Sequence, residues 1–599
     1  MKHYVKTIVA ALLGVFTMPY LMLLNGERLA FTNSVWSVFA FIALLFLFHN
    51  IFVKSFEGKK TRWMLPGIVG FLFSFFLVIG TQLELNESIN VSDMGMWLAL
   101  LVWTILGSLI IRYSWEVLIA KKECCKKDIS VDSKFERKSF FVTAGIIFVC
   151  YFIVFLAVYP GFFVYDAQDE VMQVITRKFS THHPLIHVLL LGGFSQLGYK
   201  IFDSYNVGIA MYSIFQMLLM SGILAWCVEL LKKRGVKKSV RIIITLYFGL
   251  FPTMVMGSLC TSKDAIFSGL VLMAVLYLQE MCKDFDAFFA TKKKVMVLFV
   301  ATVGMALFRH NGYYAFLVFF VLLLIFYRKE WKRILVIAVC VVVTYSGINN
   351  GLQWGLHAEQ GGKQEMLTVP IMQMARTYVY EKDNLPQEEK DVLTKFIREK
   401  YLMIYTPKLS DRVKFKFENE EYSENSGDFW KLWAKWGMRY PVTYINAWFM
   451  TSYGFWYPDA VIDVYAGNTV FTYTYEDSSY FGYETEQPGV RESKIPWLDE
   501  AYRKMSLEIT QQKVPVVSML FSPGFLLWVA LYFVGLLGYE KKWNCVMPFL
   551  LVALIWLTFI LGPTFLPRYV FYLWSIVPVL ICECFIPEKN RETKNVATN

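Results

Sequence analysis

The sequence predicts an α-helical, polytopic membrane protein, and three observations carry that prediction. Hydrophobic residues make up 56% of the 599-residue chain and charged residues only 18%, a balance too apolar for a soluble chain of this length. Apolar runs of about 20 residues, the length that crosses the hydrocarbon core, recur along the chain. Lys and Arg gather in alternate connections between those runs, as the positive-inside rule requires.

On that ruler about fourteen transmembrane helices are expected, centred near residues 16, 43, 73, 104, 149, 218, 250, 273, 301, 320, 341, 527, 554 and 577. The first follows MKHYVK and reads as a retained helix, because it has no convincing small-residue cleavage site and further spans follow at once. Residues 54–62 are basic, whereas 82–93 contain no Lys or Arg; 121–138, 232–241, 292–294, 328–333 and 541–542 are basic again. Fourteen crossings from a cytoplasmic N-terminus place every basic connection, and the C-terminus, in the cytoplasm. That parity holds only if 184–202 does not cross. This segment carries His187, Gln196 and a Gly-Gly pair, and is expected to lie as a helix at the outer surface.

Four parts follow. Residues 1–138 hold four N-terminal helices, and 139–350 a core of seven with an outer loop at 159–203. Residues 351–516 form an extracytoplasmic domain, and 517–599 three last helices and a cytoplasmic tail. The segment 351–516 has 19 Lys and Arg against 24 Asp and Glu, while the rest has 40 against 24. The formal charge of +11 is therefore an effect of cytoplasmic loops and indicates no nucleic-acid partner. Helical patches at 386–405 and 430–439 and a Tyr-rich stretch at 471–483 suggest a mixed α/β extracytoplasmic domain. It contains none of the ten cysteines, which excludes a disulfide framework there. The aromatic segment AWFMTSYGFWY, 447–457, is too short to span and is expected at the membrane interface through Trp448, Tyr453 and Trp456.

The span interiors contain almost no ionisable groups, unlike an ion-coupled carrier. The charges sit at outer helix ends instead. The stretch YPGFFVYDAQDEVMQVITRKFSTHHPLIH, 159–187, brings Asp166, Asp169 and Glu170, then His182, His183 and His187. Lys263-Asp264, Arg309 with Asn311, and Arg568-Tyr569 fall at matching ends of later runs. Convergence of carboxylates and cations at one membrane face suits an enzyme acting on a lipid-carried substrate. Asp166 and Asp169 share a helix face and, with the histidines, are a possible divalent-cation site. Pro184 requires an extended neighbour, and no metal ligand set is assigned.

The motifs YPGFFVYDAQDE…HHPLIHVLL, SKDAIF, FRHNGYY, SYGFWYPD and LPRYVFYLW resemble the GT-C class of membrane glycosyltransferases, most closely an uncharacterised bacterial family assigned to that class. The resemblance runs from Ser139 to the C-terminus. It implies a GT-C-like fold and transfer of a sugar from a polyprenyl-phosphate carrier to a cell-envelope acceptor on the outer face of the cell membrane. It also implies that the first-loop carboxylate is the general base on the acceptor hydroxyl, the position Asp166 matches. Asp169 and His183 are further catalytic candidates. Glu170, His182, His187, Lys263, Asp264, Arg309, Asn311, Arg568 and Tyr569 are candidate substrate-binding residues, with Lys263, Arg309 and Arg568 chosen by position to hold the lipid phosphate. Which carboxylate is the base stays open. Two other readings compete: a catalytically silent assembly or sensor protein on the same scaffold, and a flippase or carrier for lipid-linked saccharides.

Overall fold

The computed structural model describes residues 2–21, 34–53, 62–124, 136–464, 492–514 and 516–586. The basic connections at 54–61 and 125–135, the Tyr-rich stretch 471–483 and the tail 587–599 lie outside the described residues. In chain order the helices used below are α1 Lys2–Thr17, α2 Val35–Val53, α3 Met64–Asn86, α4 Met94–Cys124, α5 Arg137–Ala157, α6 Tyr165–Thr176, α7 Leu185–Phe202, α8 Tyr205–Lys233, α9 Lys238–Leu250, α10 Pro252–Leu259, α11 Lys263–Lys283, α12 Lys292–Phe308, α13 His310–Phe326 and α14 Trp331–Gly355. Next come α15 Thr368–Tyr380, α16 Gln387–Phe396, α17 Asn419–Arg439, α18 Pro441–Ser452 and α19 Pro496–Leu507, and then the apolar α20 Pro523–Tyr539, α21 Trp543–Phe559 and α22 Tyr572–Phe585.

The protein is an α-helical polytopic membrane protein. Among the described residues nine helices are long and apolar enough to cross a membrane, or ten if α9 and α10, bent by 53°, count as one span. Fourteen is therefore too many by this measure. Helices α1, α12, α13, α20 and α21 have only 16 or 17 residues, about 25 Å at 1.5 Å per residue. Such helices lie at the short end of the spanning range.

Segment α7 passes the same length and composition test, although charge parity sets it aside as a surface helix. Packing bears on its place. Helices α5 and α8 run together, with Glu136 paired to Lys232 at 2.7 Å at one end and the Pro160 carbonyl bonded to Ser213 at 2.8 Å at the other. Residues 213–232 of α8 therefore match the length of α5, and 205–212 continue beyond it. Helix α7 lies along that projecting part. A Cβ on Gly198 would come within 2.2 Å of the Gly208 nitrogen, so two backbones touch where neither residue has a side chain.

Three breaks interrupt these helices, the first beside the middle of α5, where Tyr151 donates to Phe248 O at 2.8 Å. Phe251, before Pro252, is extended, as a residue before proline must be. Arg309 is extended between α12 and α13, and the chain from Cys260 to Ser262 separates α10 from α11. The freed backbone groups find partners: Phe162 N donates to Leu259 O at 3.2 Å and Thr261 N to Phe162 O at 3.0 Å. Irregular backbone at membrane depth is tolerated only when buried and paired in this way. Gly161, at φ +130°, lies against this crossover, where a Cβ would meet the Ser213 hydroxyl at 2.4 Å.

The described residues between α14 and α20 form helices joined by turns, with only isolated bridges such as Ile397 to Phe417, so a mixed α/β domain is not what these residues form. Their core is built by helix-spaced apolar residues, Leu393 and Phe396 on α16 against Phe429, Leu432 and Trp436 on α17. They are sewn to the spans at several points. Gly361 N donates to Thr181 Oγ1 at 2.8 Å, Ser410 N to Pro563 O at 3.2 Å, and Arg376 to Glu87 O at 2.7 Å. Tyr453 and Trp456 do not face lipid. Both are buried, Tyr453 bonding Glu84 at 2.7 Å and Trp456 packing on Phe76; Trp448 bonds Ile560 O at 2.8 Å.

The orientation has a direct check. In a background without the native cysteines, Lys431→Cys, at a side chain 82% exposed, is expected to react with an impermeant maleimide on intact cells. Lys237→Cys is expected to react only after permeabilisation. The reverse pattern overturns the orientation.

Candidate functional site

Helix α6 starts after the extended Val164, placing Asp166 in its first turn. From there the 3.6-residue pitch decides which carboxylates meet. Glu170, four residues on, is buried beside Asp166, whereas Asp169 turns to the rim with its side chain 59% exposed. Asp169 accepts from Gln173 at 2.8 Å and stands 3.5 Å from His183 Nε2.

Three cations reach the site from distant parts of the chain. Arg568, in the turn entering α22, donates from Nη1 to Asp166 Oδ2 at 2.8 Å. Lys263, the first residue of α11, has its Nζ 3.7 Å from Asp166, 3.7 Å from Glu170 and 2.8 Å from His183 Nδ1. Arg309, at the α12–α13 break, donates from Nε at 2.6 Å to Asp264 Oδ1, and its Nη2 bonds the same oxygen. The other Asp264 oxygen is buried without a hydrogen bond and lies 3.8 Å from Arg568. The Tyr569 ring lies between the guanidiniums of Arg309 and Arg568, 5.0 and 5.1 Å from its centre.

Behind the carboxylates runs a buried chain of polar groups. His187 Nδ1 contacts Glu170, and its Nε2 lies 2.8 Å from the Tyr212 hydroxyl. Tyr212 donates to Gln216 Oε1 at 2.8 Å, and Gln216 Nε2 donates to the carbonyls of Ser258 and Cys260. With its own proton on Gln216, the Tyr212 oxygen is left to accept from His187 Nε2. The chain ties α6 and α7 through α8 to the segment that ends at Lys263.

These contacts set the electrostatics. Burial pushes the Asp166 carboxyl up, but Arg568, Lys263 and His183 outweigh it and hold the group well below the ordinary carboxylate range. Burial likewise opposes ionisation of Glu170, and His187, Lys263 and His183 hold it at about 2. Burial, then the facing Lys263 ammonium, pushes His183 down to about 3, so its Nδ1 accepts from Lys263.

Asp166, Glu170, His183, His187, Lys263, Asp264, Arg309, Arg568 and Tyr569 are therefore brought together. Three candidates are not. Asp169 stands at the rim, and His182 is exposed, with its ring edge-on to His183. Asn311 bonds Thr558 at 2.9 Å and joins α13 to α21. Tyr212 and Gln216 escaped the sequence reading. Their one signal is a polar pair at i, i+4 in an otherwise apolar run. Among the described residues no cluster of His, Cys, Asp and Glu could hold a metal ion. The Lys263 ammonium occupies the space between Asp166 and Glu170, and Asp169 does not converge with them.

Over residues 174–598 the chain matches the sequence model of a family of unknown function (DUF6020), and it belongs to that family. The matched part includes the histidines, Lys263, Asp264, Arg309, Arg568 and Tyr569, while Asp166, Asp169 and Glu170 precede it. No curated protein and no solved structure matches the chain.

The depressed His183 predicts a pH effect on stability. Unfolded, its imidazole takes a proton below about pH 6.5; folded, it stays neutral down to about pH 3. Stability is therefore lost as pH falls from 6.5 toward 3, by on the order of 1–2 kcal/mol at pH 5. His183→Gln keeps an acceptor for Lys263 and cannot titrate. Its melting temperature is expected to fall less than that of the wild type between pH 7 and pH 5. Parallel falls contradict the assignment.

Proposed function

We propose that this protein transfers a sugar from a polyprenyl-phosphate carrier to a hydroxyl of a cell-envelope acceptor, at the outer membrane face. One observation carries the reading: a part-buried carboxylate, Asp166, lies between Arg568 and Lys263 where the helices break. Water-soluble phosphates need no such placement. A phosphate on a lipid tail arrives at this depth, with its tail among apolar helices. The accompanying topology puts both termini in the cytoplasm and 351–516 outside, above the site.

The chemistry follows from the groups present. The acceptor oxygen attacks the anomeric carbon, a carbon–oxygen bond forms, and the bond from that carbon to the phosphate oxygen breaks. The acceptor proton passes to Asp166, and the electron pair of the broken bond goes to the leaving phosphate. Arg568 offers two donors to the phosphate oxygens and Lys263 a point charge. Charge supports the assignment. Lys263, Arg309 and Arg568 bring three cations to one place, where a phosphodiester and then a phosphate monoester would be held. As the phosphate gains a second charge, Asp166 loses its own by taking the proton.

Transfer of labelled sugar from a polyprenyl-phosphate donor in proteoliposomes tests the reading. Asp166→Asn is expected to lower turnover by roughly 10²–10⁴, the range for losing a general base, with the melting temperature kept. Asp169→Asn, at the rim, is expected to stay within a few-fold of wild type. Near-normal turnover in Asp166→Asn overturns the assignment of the base; the same result with both Asp166→Asn and Glu170→Gln overturns the carboxylate mechanism.

A further inference from the structure

We infer that Asp166 is the internal occupant of the phosphate site, and that an arriving phosphate takes Arg568 and Lys263 from it and so releases the base. The inference rests on reading the site as one that binds a lipid phosphate. It adds an order to the reaction: donor first, then a competent base.

The geometry shows the competition. Arg568 Nη1 spends its hydrogen bond on Asp166 at 2.8 Å, and Lys263 stands 3.7 Å from the same carboxylate oxygen. These are the two donors a phosphate beside Asp166 would use, and an oxygen acid already holds them. A carboxylate gripped by a guanidinium is a poor proton acceptor, because protonation forfeits a charge-assisted bond. A phosphate on Arg568 removes that hold and adds a negative charge beside Asp166, so both effects favour protonation. Around Asp166 stand Arg568 and Tyr569 from the turn before α22, Lys263 and Asp264 from α11, and His183 from the loop before α7. Glu170 of its own helix and Cys260 of the preceding segment complete the set. Of the ionised groups here, only Arg568 and Lys263 contact Asp166 within 4 Å.

Two features let Asp166 withdraw without dispersing the cations. Asp264 keeps its second oxygen 3.8 Å from Arg568, without a hydrogen bond of its own, and holds the guanidinium in place electrostatically. Glu170 and His183 keep Lys263 at 3.7 and 2.8 Å. Asp166 itself lies in the first turn of α6, its side chain 13% exposed, and is the one buried-site carboxylate with room to turn outward. Glu170 and Asp264 are 1–2% exposed and have none.

Binding of a short-chain polyprenyl phosphate to the purified full-length protein in lipid nanodiscs tests this. Removing the competing carboxylate in Asp166→Asn is expected to tighten binding by roughly tenfold or more, while Asp169→Asn leaves it unchanged. Unchanged or weaker binding in a folded Asp166→Asn overturns the inference and leaves the phosphate reading standing. Failure of the wild type to bind the polyprenyl phosphate in preference to the same-length alcohol overturns both. Inorganic phosphate as competitor separates lipid from soluble ligand: ready displacement by it overturns the lipid source. A second measurement needs no variant. Hydrophobic carbodiimide reacts with protonated carboxyls, so polyprenyl phosphate is expected to accelerate modification of Asp166 in the wild type. Protection, or no change, contradicts release of the base.

Discussion

The ion pair between Asp166 and Arg568 is the constraint around which the membrane-facing half of the protein is arranged. Its partners come from opposite ends of the core, one on the first short helix after α5 and the other in the turn before α22. Taking such charges out of water costs several kcal/mol per ion unless geometry and further bonds compensate. Compensation comes from Lys263, the Arg309–Asp264 pair and the His187–Glu170 pair, each supplied by a helix end at the same level. The helix breaks are the condition for this. An unbroken run through Phe251, Cys260 or Arg309 would carry these side chains past one another.

The helices between α14 and α20 have a part in holding the site. The loop with His183 is pinned by Thr181 N to Glu359 O at 2.8 Å and by Gly361 N to Thr181 Oγ1. The turn leading to Arg568 is held by Ser410 N to Pro563 O and by Thr564 Oγ1 to Lys408 O at 2.8 Å. A domain tied at both places couples its own position to the two segments that carry His183 and Arg568. The buried chain from Glu170 through His187 and Tyr212 to Gln216 stiffens the opposite wall.

Much of this was legible in the sequence, for stated physical reasons. Charges at the ends of long apolar runs must cluster at a membrane face, so Asp166, Lys263, Arg309 and Arg568 could be grouped before any contact was known. Which carboxylate turns inward could not be read so directly, because i+3 and i+4 differ by one residue on a short helix. Asp169 and Glu170 accordingly exchanged importance. Arg309 was expected at the phosphate, and its nearest carboxylate turns out to be the adjacent candidate Asp264. Tyr212 and Gln216 were invisible because two polar side chains in an apolar helix give no hint of their partners. The count of spans went beyond the nine or ten that length and composition support among the described residues, because helices of 16 or 17 residues sit at the edge of the spanning length. The α/β expectation drew its strands from the Tyr-rich stretch 471–483, which lies outside the described residues; the described part of 351–516 has helices and only isolated bridges.

The most direct measurement is a structure by electron cryomicroscopy of the protein in nanodiscs with bound polyprenyl phosphate. The account predicts phosphate density within hydrogen-bond distance of Arg568 and Lys263, with the Asp166 carboxylate turned away from Arg568 toward the acceptor side. Density for the phosphate at another part of the outer face, with the Asp166–Arg568 pair intact, would contradict it.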